Sequence, residues 1–331
     1  MEETSYELAP ARKTFSRIGL ALTAILVIGT VLQTLWFVIP SVIWGADNWM
    51  TGSSWGIWIG SFAPLYLVAI PVSLLILRKL PAQAPQEKQM GTKNFLVFLP
   101  ICFCLMYSGN IIGTLLSLAL SGGTAQNTVA EYAMDTNPLK ILVMVILAPV
   151  LEEYVCRKQL IDRTRQYGEK TAVLLSALTF GLLHQNLFQF FYAFGLGLVF
   201  AYIYTRTGRL RYSVLLHGII NFMGSVLAPL ILSMLDLEAL QSMDPNAPAE
   251  ELAALYAQML PGLMVYLAYF LLLMGTSIAG LVLLIVRCRR LIWKEAEAQL
   301  PKGTAAKTVY LNVGMVLYIL LCVFSIVLSL L

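Results

Sequence analysis

The chain has 331 residues, 59% of them hydrophobic and only 12% charged, with a formal net charge of +4. Soluble globular domains carry about 25% charged residues, so this composition excludes a water-soluble enzyme, a disordered chain and a nucleic-acid-binding module. It leaves a polytopic membrane protein.

A helix needs about 20 predominantly apolar residues to cross the hydrocarbon core. Candidate runs lie at 18–43, 56–77, 95–120, 138–158, 171–185, 187–205, 212–235, 261–286 and 309–331. They predict an all-α polytopic bundle of about nine transmembrane helices. The first run follows Arg12, Lys13 and Arg17, is too long for a signal-peptide core and precedes no small-residue cleavage site, so it reads as a retained span. With the N-terminus in the cytoplasm, the basic residues fall before residue 18 and in 78–94, 157–170, 206–211 and 287–307. Lys140 alone of the 22 Lys and Arg residues falls on the other side, which is the positive-inside pattern. The outer loops 121–137 and 236–260 carry acids and no Lys or Arg. Trp36, Trp44, Trp49, Trp55 and Trp58 cluster around the first outer loop, as in an interfacial aromatic belt. The longer connections are 80–92 and 243–260, the second reading as a proline-broken turn followed by a short amphipathic helix. No internal repeat is evident, and neither connection marks a second domain, so residues 1–331 form a single membrane domain.

Cys102, Cys104, Cys156, Cys288 and Cys322 are odd in number and form no Cys-x-x-Cys pair, which points to small core residues rather than a disulfide framework or thiolate zinc site. Ionisable groups inside a span are functional candidates. The only carboxylates well within an apolar run are Glu152 and Glu153, and the only histidines, His184 and His217, also sit in apolar context. Residues four apart share a helix face, so Glu153 pairs with Arg157 while Glu152 points elsewhere and keeps no local partner. By the same spacing His217 and Asn221 converge, and Phe180 can wall or orient His184. With Gly168 as the turn between two helices, Glu152 and His184 lie equally far from it, at about 24 Å, and so at one depth. Pro149 can kink the first of these helices and free backbone carbonyls.

A desolvated glutamate can act as general base on water, a histidine can share that proton, and a second histidine with an asparagine can donate to an oxyanion. Alternatively Glu152, His184 and His217 could hold zinc; the residues alone leave the cofactor as none or zinc. There is no His-Glu-x-x-His helix, no intramembrane aspartate pair and no Gly-x-Ser-x-Gly setting; Ser176, Ser213 and Ser225 read as helix-packing residues.

Three segments resemble the motifs of the CAAX-processing and bacteriocin-processing (CPBP, or Abi) family of intramembrane proteases. Glu152-Glu153-Tyr154-Val155-Cys156-Arg157 is similar to its EExxxR motif, Phe180-Gly181-Leu182-Leu183-His184 to FxxxH and His217-Gly218-Ile219-Ile220-Asn221 to HxxxN. Members commonly have Phe-Arg-Gly around the arginine where this chain has Cys156-Arg157-Lys158. The resemblance covers about 138–230, a core flanked by accessory helices in 1–137 and 231–331. It implies catalytic roles for Glu152 as base, His184 as its assistant, and His217 and Asn221 at the oxyanion. Glu153 belongs to the same catalytic set, with Arg157 and Phe180 in support, by either a metal-free glutamate mechanism or a metalloprotease one. The cavity is expected between the fourth, fifth and seventh spans, opening to the cytoplasm or sideways into lipid. The chain would be a multi-pass protein of a prokaryotic plasma membrane. Its partners would be the bilayer and a membrane-associated peptide or protein (CAAX-like, leader-peptide or bacteriocin-related), with no nucleic acid; the oligomeric state is not readable. The competing readings are a noncatalytic scaffold or immunity factor and a proton-coupled transporter using the same Glu/His cluster.

Overall fold

The computed structural model describes residues 2–235 and 248–331, with side chains from Leu8 onward, and these are helical with no strand among them. Among the described residues, six helices are long and apolar enough to cross a membrane. They are α1 (Glu2–Trp44), α2 (Ser54–Leu77), α3 (Thr92–Leu120), α7 (Leu187–Thr207), α8 (Leu210–Leu232) and α9 (Ala249–Cys288). The elements between and after them are α4 (Thr128–Met134), α5 (141–164), α6 (Glu169–Leu183) and α10 (Val313–Leu328).

The nine predicted runs thus become six spans by this measure, for physical reasons. Helix α5 is continuous, but Glu152, Glu153, Arg157 and Lys158 interrupt its apolar stretch. Helix α6 has 15 residues and α10 has 16, both short of about 20. The outer connection 236–247, with Asp236, Asp244 and the start of the turn expected at 243–260, lies outside the described residues. From Ala249 onward the expected separate amphipathic helix is instead the first part of α9, which takes Pro261 into its interior.

Helix α7 packs between α3 and α6, α9 lies along α3, and α1 packs on α2 and α10. Small residues permit these approaches, as expected where lipid gives helices no hydrophobic drive to associate. A Cβ at Gly197 would meet the Ala177 backbone at 2.9 Å, and one at Gly280 would collide with the Pro100 carbonyl. Three helices carry a π-helical turn just before a proline: 64–69 before Pro71, 141–147 before Pro149, and 223–227 before Pro229. Proline removes an N–H and crowds the preceding carbonyls, and a widened turn absorbs that conflict.

The basic connections gather at one end of the bundle. There Arg206 pairs with Glu169 at 3.0 Å and Arg209 with Glu87 at 3.3 Å. The Tyr204 hydroxyl donates to Asp162 at 2.8 Å, and the Lys294 and Leu300 amides donate to Glu169 and the Tyr167 carbonyl. At the opposite end Asp135 is a hub, accepting from Ser54, Trp58 and the Asn137 amide at 2.8–2.9 Å. Burial opposes its charge, but these donors and nearby Lys140 hold its carboxyl below the usual aspartate range.

Candidate active site

Helix α5 carries the two glutamates, and its geometry separates them. Glu153 is fully buried and accepts two parallel bonds from Arg157, 2.9 Å from Nε and 3.0 Å from Nη2. The third arm of Arg157 donates to Ser176 Oγ at 3.0 Å, and Ser176 donates in turn to the Cys156 carbonyl at 2.6 Å. The guanidinium lies over the Phe180 ring, 4.6 Å from its centre. A buried charge is tolerable only when paired and hydrogen-bonded, and Arg157 meets that condition with planar, bidentate geometry.

Glu152, one residue earlier, turns into open space. Its side chain is 22% exposed. It accepts from the Tyr66 hydroxyl at 3.3 Å and has His217 Nε2 3.9 Å away.

His184 caps the C-terminus of α6, set there because Gln185 takes a left-handed conformation (φ 55°) that a helix cannot continue. Asn186 then caps α7, accepting from the Gln189 amide at 2.9 Å while its own amide donates to the His184 carbonyl at 2.7 Å. The His184 Nδ1 lies 2.7 Å from the Phe180 carbonyl. A carbonyl only accepts, so Nδ1 carries the proton and Nε2 of the neutral ring keeps its lone pair. Phe180 therefore orients His184 through its backbone, and its ring also packs edge-on against both histidines, at 5.1 and 5.4 Å.

His217, on α8, places Nδ1 3.3 Å from Glu153 Oε1 and stacks on Phe200. Since Glu153 is a carboxylate held by Arg157, Nδ1 is the donor. One turn on, the Asn221 side-chain amide donates to the Met144 carbonyl at 2.8 Å. In the π-helical register of 141–147, that carbonyl would bond the amide of residue 149, which is proline and has none. Asn221 supplies the missing donor and ties α8 to α5, leaving its second N–H free.

Glu152, His184, His217 and Asn221 line one largely apolar cavity of about 440 Å³, together with residues of α2, α3, α4 and α7. Its walls include the expected fourth, fifth and seventh runs and extend beyond them. A second, smaller cavity of about 110 Å³ meets Glu152, His184 and Tyr66 from the α1 side, where Thr30 and Gln33 lie. The side chains Glu152, His184 and His217 do not form a metal cage: no group of three or more His, Cys, Asp and Glu suited to a metal ion occurs among the described residues.

The seven candidates from sequence thus surround one centre. Tyr66, Ser176 and Phe200 were missed as members of it. Tyr66 is one of 15 tyrosines, 86 residues from Glu152, and no local pattern marks it. Ser176 resembles any helix-packing serine until Arg157 is seen beside it.

No solved structure matches the chain. A protein of Bacillus subtilis (strain 168), named "Putative membrane peptidase YdiL", is 29% identical over 164 residues. That match covers 47% of this chain and 66% of the relative, so the chain spans just under two thirds of the relative's length. Residues 135–223 match the family model described as Type II CAAX prenyl endopeptidase Rce1-like. The segment that holds Glu152, His184, His217 and Asn221 thus lies within the stretch similar to the Rce1-like family model, in a multi-pass membrane protein whose described residues are helical.

Proposed function

We propose that the chain is an intramembrane endopeptidase in which Glu152 activates water against a peptide carbonyl. The observation that carries this reading is the division of labour between neighbouring carboxylates. Glu153 is saturated by Arg157 and His217, while Glu152 faces the cavity with Tyr66 at hydrogen-bond distance and an unblocked histidine nitrogen on the same wall.

Glu152 takes a proton from water as the oxygen forms its bond to the peptide carbon. The carbonyl π electrons move to oxygen, and the developing oxyanion accepts from the free Asn221 N–H and from His217 Nε2. Because His217 Nδ1–H is committed to Glu153, Nε2 donates to the oxyanion only when the ring carries both protons. Collapse of the tetrahedral intermediate breaks the C–N bond, and the proton held by Glu152 passes to the leaving amine. His184 Nε2 orients the water or shares its proton. No step requires a metal. The reading extends to a membrane-associated peptide substrate, of the CAAX-like, leader-peptide or bacteriocin-related kind.

The test is cleavage of a panel of membrane-tethered peptides by purified protein, wild type beside Glu152→Ala, with bound zinc assayed in the same samples. Loss of cleavage in a folded Glu152→Ala protein is expected. Retained cleavage would remove Glu152 from the role of base, and stoichiometric zinc required for activity would replace the metal-free scheme.

A further inference from the structure

We infer that Tyr66 is a positioning residue of the site: its hydroxyl holds one oxygen of the Glu152 carboxylate, Oε1, and so leaves Oε2 as the oxygen that takes the proton from water. This role rests on the protease reading and comes from a helix outside the three motifs.

Glu152 needs such a hold because it stands between two hollows. The larger, of about 440 Å³, and the smaller, of about 110 Å³ on the α1 side, both reach Glu152, His184 and Tyr66. A glutamate side chain turns about several bonds, and with space on both sides packing alone does not choose its direction. Glu153 is fixed by Arg157. Glu152 accepts one hydrogen bond among the described residues, from the Tyr66 hydroxyl to Oε1 at 3.3 Å. An ionised carboxylate only accepts, so the tyrosine is the donor. Oε2 lies 3.9 Å from His217 Nε2, too far for a hydrogen bond. That oxygen therefore keeps its lone pairs on the side where His217 and Asn221 meet the oxyanion.

The tyrosine is itself held. Tyr66 is 6% exposed and sits in the π-helical turn 64–69 of α2. The Phe62 ring stacks on it with centres 6.1 Å apart, and stacks in turn on Trp58 at 5.2 Å. Tyr132 of α4 packs edge-on against both Trp58 and Phe62. Trp58 is anchored by its bond to Asp135 at 2.9 Å. An aromatic column thus runs from the Asp135 hub to Glu152. Its contact with Tyr66 is made by the ring, and phenylalanine would make it equally well. The hydroxyl adds the bond to Glu152, and a buried hydroxyl without a partner is a cost. The carboxylate explains the oxygen; the packing does not.

Placement at this level matters, since a reacting group displaced by about 1 Å can lose about 10²-fold in rate. In the step itself a water O–H bond breaks, its electron pair stays on the oxygen that bonds the peptide carbon, and the proton goes to Glu152 Oε2. The Tyr66 O–H bond stays intact throughout.

The test is Tyr66→Phe in the full chain, which keeps the ring and removes the oxygen. Cleavage of a membrane-tethered peptide is measured beside wild type, with unfolding followed in the same detergent. The expected result is a fall in kcat of about 10-fold or more per folded molecule with KM unchanged, because the hydroxyl serves the base and not the binding of substrate. Unchanged kcat, or a loss carried by KM alone, overturns the inference. A second readout is independent of cleavage. Tyr66→Phe, Glu152→Ala and the double variant form a cycle of unfolding temperatures. Coupling is expected, with Tyr66→Phe shifting the unfolding temperature of wild type and of Glu152→Ala by different amounts. Additive shifts overturn the inference. If wild type cuts no peptide, that counts against the protease reading, and the cycle decides by itself whether Tyr66 holds Glu152.

Discussion

Two regions meet at Glu152–Glu153, and they obey opposite rules. The basic end is a network in which the buried carboxylates have partners: Glu153 with Arg157, Asp162 with Tyr204, Glu169 with Arg206. The cavity end leaves groups unfinished. Glu152 is partly exposed, His184 keeps one ring nitrogen, and Asn221 keeps one N–H. A membrane protein gains nothing in stability from polar groups left half-satisfied in an apolar setting. The contrast therefore separates what holds the bundle together from what is available for chemistry, within one helical step of α5.

The largest expected effect of breaking this contrast lies on the paired side. Arg157→Ala leaves Glu153 as an uncompensated buried charge and should cost about 3–5 kcal/mol of stability, read from thermal or denaturant unfolding in detergent. Unchanged stability would mean that the network is not structural.

Next comes His184→Ala, which should leave unfolding unaltered but lower peptide cleavage about 10²-fold or more. A comparable fall in stability would move His184 into the scaffold.

Asn221→Ala sits on the border. It strands the Met144 carbonyl, at about 1 kcal/mol. A loss of cleavage beyond that explained by the unfolded fraction would assign Asn221 to the oxyanion, whereas unchanged cleavage would leave it an interhelical tie.

The smallest effect belongs to Asp135, far from the glutamates. Its folded carboxyl titrates below the ordinary value because its donors outweigh the cost of burial. Its contribution is thus fully present above the unfolded value of about 3.9 and is lost as pH falls through the lower folded value. Asp135→Asn should melt below wild type at neutral pH, with the difference closing in acid. A difference independent of pH would show that the hub works without its charge.

The helical class is legible in the sequence, and local pattern also marks the seven candidate residues that the structure gathers around one centre. Helix spacing separates Glu153 from Glu152, and the equal distances from Gly168 bring His184 to the same depth. Other features depend on contacts that leave no local trace. Tyr66 reaches Glu152 from another helix. The bond from Asn221 to Met144 depends on a π-helical register that Pro149 only hints at. Six of the described helices have the length and apolarity of a span, because the site places charges in α5 and because α6 and α10 are short.

The most direct measurement compares Glu152→Gln with Glu153→Gln in one preparation, reading cleavage of a membrane-tethered peptide beside unfolding temperature. The account predicts that Glu152→Gln melts like wild type and does not cleave, while Glu153→Gln melts lower and its folded fraction still cleaves. Cleavage at the wild-type rate by folded Glu152→Gln would contradict it.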